Sequence, residues 1–342
     1  MCAPKVSIVV PCRNEISYIE AAVSSILSQD EVVGGFEVLV ADGMSTDGTR
    51  DVLRRLADED SRLRVIDNIG LIVPTGLNAA IRASRGEIIV RMDAHTEYAS
   101  DYVRQCVSVL NETGAHNVGG PWNADGKDFL QRAIAMGFRS IFSSGGAGSH
   151  KLKYEGEVDS VYLGCWWKST LEAVGLFDEE FVRNQDDELN LRLVRAGYRV
   201  WQSPRIRSRY FPRNSIGALF RQYRQYGYWK VRVIQKHSLP ASARHLVPGA
   251  FVSILFLLSV LSIFFNIAAQ ALGFFVFLYF LASIVAAIDS CYREKYWGSV
   301  FVMPLVFFAY HFGYGLGFMS GVGDFLVFKN GANGKFSRLT RG

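Results

Sequence analysis

EIIVRMDAHTEY, residues 87–98, runs apolar through Val90 and then ends in a carboxylate and an imidazole two positions apart, Asp93 and His95. The apolar part is short and dense, as a buried strand is. Three similar runs precede it: KVSIVV (5–10), FEVLVAD (36–42) and RLRVID (62–67). Between them lie SYIEAAVSSILSQ, TDGTRDVLRRLADE and PTGLNAAIRASRG, each with apolar residues at helical spacing. Strands alternating with helices predict an α/β head with a mixed, mostly parallel sheet covered by helices on both faces.

In such sheets ligands bind beyond the carboxyl ends of the strands. The first strand is followed by VPCRNE (10–15), the second by ADGMSTDGT (41–49) and the fourth by DAH. Glu15, Asp42 and Asp93 are therefore expected along one edge of one sheet. Gly43 and Gly48 allow a close backbone approach there, and Asp47 or Thr49 can cap the next helix. The second turn lacks the glycine spacing of a dinucleotide fold and the lysine of a P-loop. Its acid suits a hydrogen bond to a ribose hydroxyl or a base edge. Asp93 and His95, at i and i+2 of an extended chain, would point to the same side. A carboxylate with an imidazole suits Mn²⁺, and Mg²⁺ less well. Such an ion could bind a diphosphate and offset the charge of its departure.

Charge divides the chain. Residues 1–188 carry 18 Lys/Arg against 29 Asp/Glu, whereas residues 189–288 carry 13 Lys/Arg and no acid. A basic stripe serves nucleic acid, anionic lipid or a phosphorylated ligand. The hydrophobic residues next in the chain select lipid and argue against a nucleic-acid partner. His245 to Ile288 contains no Asp, Glu, Lys or Arg. As one helix it would run roughly 66 Å, about twice the hydrocarbon core of a bilayer. Two crossings are expected, 247–265 and 271–288, turning at Asn266 to Gln270, with a third hydrophobic helix near 299–320. No signal peptide precedes the first strand, which predicts a cytosolic head on a multi-pass plasma-membrane protein. The five cysteines show no metal or disulfide spacing, as suits a reducing compartment.

The ordered set VSIVVPCRNE, VLVADGMSTDGT and RMDAH, followed by GCWWKSTLEAVGLFDEEFVRNQDDELNLRLVRAGYRVW (164–201), resembles the family 2 glycosyltransferases, which have the Rossmann-like GT-A fold. The DAH form and the hydrophobic tail are most similar to the succinoglycan-type exopolysaccharide glucosyltransferases. The resemblance implies a nucleotide-diphosphosugar donor and inversion at the anomeric carbon. It implies that Pro11, Arg13 and Glu15 contact the nucleotide, that Asp42 binds the uridine, and that Asp93 touches ribose or metal. His95 would be the metal ligand. The family's usual Glu-Asp pair falls on Gln185-Asp186, making Asp186 the base, with Asp187 as the alternative. His95 stands where a second Asp is commoner, Gln185 replaces Glu, and Lys168 stands where Arg is frequent.

NQDDELNLRL places Asp186, Asp187 and Glu188 in the first turn of a helix. There the dipole favours ionised acids while their mutual repulsion opposes it. Trp166 and Trp167 have faces that suit sugar rings, so one of them, with Lys168, is assigned to the acceptor side. Residues 203–237 interleave nine Lys/Arg with aromatics, the pattern of helices lying on anionic headgroups. Arg221 and Arg224 in that stretch could hold a diphosphate. Processive members of the family carry Gln-x-x-Arg-Trp here. This chain has Gln222-Tyr-Arg-Gln225-Tyr226, and three helices are few for a polymer channel, so a single sugar is expected per acceptor.

The organisation expected is a catalytic domain over 1–203, a basic interfacial segment over 204–244, a membrane region over 245–323 and a basic tail over 324–342. The activity expected is metal-dependent, inverting transfer of one hexose, glucose from UDP-glucose, to a polyprenyl-diphosphate-linked sugar in exopolysaccharide or cell-surface glycan synthesis. Its partners would be that donor, that acceptor and membrane lipid. The alternatives are a polyprenyl-phosphate sugar synthase and a non-enzymatic membrane scaffold of a polysaccharide assembly complex. Topology holds one tension. Three crossings put the tail outside, yet its charge favours the cytosol. The glycines at 313, 315, 317, 321 and 323 make the third run the candidate for re-entry.

Overall fold

The computed structural model describes residues 4–337. Among them the chain forms two compact units: residues up to Asn123 with Gly148–Tyr210, and Ala124–Ala147 with the residues from Phe211 onward. The first unit therefore ends beyond the expected boundary at 203, because β10 (Ser208–Tyr210) pairs with β5 (Thr96–Tyr98) as a two-stranded antiparallel sheet.

The main sheet has eight strands: β1 (Val6–Cys12), β2 (Phe36–Asp42), β3 (Leu63–Asp67), β4 (Ile88–Arg91), β6 (Asn117–Gly120), β7 (Gly156–Glu157), β8 (Tyr162–Trp167) and β9 (Val200–Gln202). Their order is β3-β2-β1-β4-β8-β6-β9-β7. The first four are parallel, β8 runs against both β4 and β6, and β9 is parallel to β6. The mixed, mostly parallel sheet is as expected.

Alternation along β1 explains the two layers. Val6, Ile8 and Val10 join one buried cluster, while Val9 joins another, so both faces are covered. The first cluster takes residues of α1 (Ile19–Leu27), α2 (Thr49–Glu59) and α4 (Tyr102–Thr113). The second takes residues of α3 (Val73–Ala83), α7 (Lys168–Ala173) and α8 (Gln185–Arg195). The helices α1 to α3 fall on the three periodic runs read from sequence. Cys12, Cys106, Cys165 and Cys291 are buried free thiols, and Cys2 lies outside the described residues.

The second unit holds α5 (Phe129–Arg139), α6 (Ile141–Ser144), α9 (Ile216–His237), α10 (Val247–Leu261), α11 (Asn266–Glu294), α12 (Met303–Gly321) and the short α13 (Gly334–Ser337). A π-helical stretch, Val322–Val327, continues α12. Three segments are long and apolar enough to cross a membrane: Ala243–Leu261, Asn266–Glu294 and Met303–Val327. The turn between the first two lies at 262–265, earlier than expected, and Asn266 already begins α11. The hydroxyls of Ser259 and Ser262 donate to the carbonyls of Leu255 and Ser259, giving the end of α10 local partners. The glycines of α12 do not interrupt it. They are a packing face: a Cβ at Gly313, Gly317 or Gly321 would strike the backbone carbonyl of Phe220, Arg224 or Tyr228 on α9. The basic tail is described only as far as Ser337; its last residues, 338–342, lie outside the described region.

Candidate active site

The turns after β1 and β2 are laced together. The Asn14 amide donates to Ser45 Oγ at 2.8 Å, and the Thr46 amide to Asn14 Oδ1 at 2.9 Å. The Glu15 amide donates to Thr49 Oγ1 at 2.8 Å. Asn14 and Met44 both take the left-handed conformation, at φ 53° each, so the two turns curl tightly. Gly43 lets them close: a Cβ there would press within 3.1 Å of the Arg13 side chain. Pro11 pairs with Ala41 in the sheet, and Arg13 reaches toward the Leu71 carbonyl.

Asp42 occupies the predicted strand end, but its carboxylate is fully buried. It accepts from the Ser45 amide and hydroxyl, and from Arg50 Nη1 at 3.0 Å. These bonds make it part of the framework of the turn.

Beyond β4 the chain does not stay extended. Asp93 to Thr96 is a turn, closed by the Thr96 amide donating to the Asp93 carbonyl at 3.3 Å, so the expected i, i+2 alignment of Asp93 and His95 does not hold. The two residues enter neighbouring pairs instead. His95 Nε2 lies 2.5 Å from Glu15 Oε1, with the edge of the ring against Tyr18. Asp93 receives both Nε and Nη2 of Arg91, at 3.0 and 3.1 Å. The third nitrogen of Arg91, Nη1, donates to Asp186 Oδ1 at 2.5 Å. One buried guanidinium thus joins the end of β4 to the first turn of α8. Burial opposes its charge, but Asp186 and Asp93 outweigh it and hold the group firmly protonated.

Asp186 has its pKa pushed up to about 6, first by burial; Arg91 opposes the rise, and Asp93 and Asp187 add to it. The three adjacent acids separate by environment. Glu188 is fully buried and chelated by Arg192, which also donates to the Val174 and Leu176 carbonyls. That residue is structural. Asp186 and Asp187 are both half-buried, and it is Asp186 that reaches Arg91 and has the raised pKa.

The acceptor-side assignment of Trp166, Trp167 and Lys168 is corrected by strand direction. Because β8 is antiparallel to β4, Trp167 pairs with Ile88 and Trp166 with Ile89. These positions lie toward the start of β4, the end opposite Asp93. Trp166 is buried against Phe177, Gly164 leaving room for its ring, and Lys168 donates to the Ser84 carbonyl at 2.8 Å. It is the other end of β8 that reaches the site: Tyr162 Oη lies 2.7 Å from Thr96 Oγ1, and its ring stacks on Trp122 at 5.3 Å. Tyr98 also belongs here. Its hydroxyl accepts from the Asp93 amide at 2.6 Å and donates to the Asp93 carbonyl. Arg221 and Arg224 are on α9 of the second unit, Arg224 over the Phe336 ring.

Among the described residues no three His, Cys, Asp or Glu side chains form a metal cage. The donor set fits a different arrangement. One carboxylate and one imidazole supply part of a shell that substrate phosphate oxygens complete, the usual way such ions bind. Asp93 and His95, with Glu15 adjacent, have that chemistry.

Residues 7–167 match the family model described as Glycosyl transferase family 2. The succinoglycan biosynthesis protein ExoA of Rhizobium meliloti (strain 1021) is 34% identical over 252 residues, covering 73% of this chain and 76% of that protein. The dolichyl N-acetyl-alpha-D-glucosaminyl phosphate 3-beta-D-2,3-diacetamido-2,3-dideoxy-beta-D-glucuronosyltransferase of Methanococcus voltae is 25% identical over 325 residues, 93% of this chain and 97% of that one. Among solved structures, the mannosyltransferase PcManGT from Pyrobaculum calidifontis, in complex with GDP-Man and Mn²⁺, superposes with a TM-score of 0.61 at 21% identity. It covers 92% of this chain and 88% of its own, a likeness of fold.

Proposed function

Because the chain belongs to the family 2 glycosyltransferases, we propose that it is a membrane-bound, inverting enzyme that moves one hexose from a nucleotide diphosphate onto a polyprenyl-diphosphate-linked sugar. The donor we favour is UDP-glucose, and the product a growing exopolysaccharide or cell-surface glycan. The lipid-linked acceptor draws support from the Methanococcus voltae relative, named for a dolichyl phosphate sugar, and from the apolar helices of this chain. The head is proposed to face the cytosol, where nucleotide sugars are made.

The observation that carries the reading is the placement of Asp186, Arg91 and Asp93 at the carboxyl edge of β4, beside the Glu15–His95 pair. Pro11, Arg13 and Glu15 line the nucleotide side of that edge, on a turn laced to the one that Asp42 organises. Asp186 takes the proton of the acceptor hydroxyl as its oxygen bonds to the anomeric carbon, and the bond to the diphosphate breaks on the opposite face. Its raised pKa makes it basic enough to accept that proton while still ionised at neutral pH. Arg91 holds it in place. Asp93 and His95 are the residues that would hold a divalent cation, Mn²⁺ or Mg²⁺, whose charge, when bound, offsets that of the departing diphosphate.

The test is to offer the purified full chain radiolabelled UDP-glucose and other nucleotide sugars with lipid-linked glycan acceptors, with and without Mn²⁺ or Mg²⁺. Label should reach the lipid phase as one sugar per acceptor and only with cation. Transfer to bare polyprenyl phosphate, unaffected by Asp186→Asn, would replace this reading with that of a lipid-phosphate sugar synthase.

A further inference from the structure

We propose that the chain crosses the bilayer only twice, through α10 and α11, and that α12 lies in the headgroup region, packed on α9, so that the C-terminal tail returns to the side of the acidic head. This concerns membrane placement and is independent of the sugar chemistry.

The three apolar helices are not equivalent. Of the apolar windows, 17% is buried in the first and 11% in the second, but 50% in the third. Helices α5 and α6 cover its first turns at Val306, Phe307 and Tyr310, and α9 buries the rest. The pairs Gly313 with Phe220, Gly317 with Arg224 and Gly321 with Tyr228 advance four residues at a time on both helices, so the two run parallel in contact. Gly227 on α9 returns the contact against the Tyr314 carbonyl. The glycines bring two backbones together, as in tight helix pairs.

That partner is charged. Helix α9 carries Arg221, Arg224, Lys230, Arg232 and Lys236 and no acid. Were Met303–Val327 to span the bilayer, its midpoint would fall near Gly315, and the Arg224 backbone opposite Gly317 would sit close to the midplane. Two arginines at hydrocarbon depth, within a strongly basic helix, are strongly disfavoured. At the headgroups the exposed cations among them, Arg221, Arg224 and Lys236, are favoured, because anionic lipid can pair with them there.

The contacts with α10 agree. A Cβ at Gly315 would meet Pro248 and Val252, Gly249 lies against Phe318, and Phe251 rings meet Phe312. These contacts lie in the first turns of α10, and no α10 residue beyond Leu255 is buried. Helix α12 therefore crosses the first turns of α10, where His311 and Phe312 also meet Tyr279 of α11, and leaves the second half of α10 uncovered. The uncovered stripe of α12, Leu305, Phe308 and Leu316, is exposed and apolar, as suits a helix lying at the acyl boundary. Two crossings also return Lys329 and Lys335 to the head's side, as positive-inside placement requires if the head is cytosolic.

The test uses the full chain with a C-terminal epitope, in sealed right-side-out and inverted vesicles treated with trypsin. Head peptides and the epitope should be released from the same vesicle orientation. An Asn266→Cys variant should be labelled by an impermeant maleimide from the opposite face. Release of head peptides with the epitope protected until detergent is added would overturn the proposal, whatever the sidedness of the head. The proteolysis arm needs no substitution within the chain, so it decides the question even where the cysteine variant fails to fold.

Discussion

Arg91 sits between the carboxylates of Asp93 and Asp186 and sets the protonation of the second. Asp186 acts only when ionised, and its pKa is about 6. Turnover should therefore be flat above that value and fall about tenfold per pH unit below it. Asp186→Asn should abolish transfer, by about a thousandfold or more, while nucleotide binding by calorimetry is kept. Arg91→Met removes the cation that opposes the rise. The sign is then fixed: the Asp186 pKa climbs further, and the acidic limb of the profile moves to higher pH. An unchanged limb in Arg91→Met would detach Asp186 from the titration. The positions of Asp93, His95 and Asp186 were legible in the sequence because strand ends and helix starts announce themselves locally. Arg91 was not, because a lone arginine inside an apolar run reads as the tail of a strand. Only the partner 95 residues away reveals why it is buried.

At the scale of elements, what was legible depended on whether the signal was local. Periodicity located α1, α2 and α3, and β1 to β4. It could not give the direction of β8, and that direction alone moves Trp166, Trp167 and Lys168 away from the site and brings Tyr162 to it. Trp166→Ala should accordingly act on stability, costing about 3–5 kcal/mol as a large buried deletion does, while leaving the acceptor KM unchanged in whatever protein still folds. The glycines of α12 posed the same difficulty. A run of small residues looks identical whether it breaks a helix or admits a neighbour, and here the neighbour is α9, about 90 positions earlier. Gly317→Leu should force α9 and α12 apart and destabilise the second unit by at least ~1–3 kcal/mol. Gly273→Ala, on α11 with nothing near its missing Cβ, should be neutral or slightly stabilising. Equal melting of the two variants in detergent would refute the packing role.

For the whole molecule, the acidic first part and the acid-free stretch after it divide the work of recognition. Residues 1–188 are net acidic, yet they are proposed to receive a doubly charged diphosphate. Coulomb repulsion within that edge is relieved internally by Arg91, which engages both Asp93 and Asp186. Glu15 and His95 are similarly occupied with each other. A bound nucleotide with its cation would thus be exchanging one set of charge pairs for another, so neither should bind well without the other. Linkage gives the size of the effect. A ligand at a hundred times its Kd stabilises the folded state by about 2.7 kcal/mol. For a unit of this size each kcal/mol is worth about 2–4 °C in Tm. UDP with Mn²⁺ should raise the melting of the first unit by roughly 5–11 °C, whereas UDP with chelator, or Mn²⁺ alone, should leave it nearly unmoved. In Asp93→Asn the joint shift should shrink toward that of UDP alone. A full shift that survives chelation would mean that the diphosphate is held by side chains alone, and the metal assignment to Asp93 and His95 would fall.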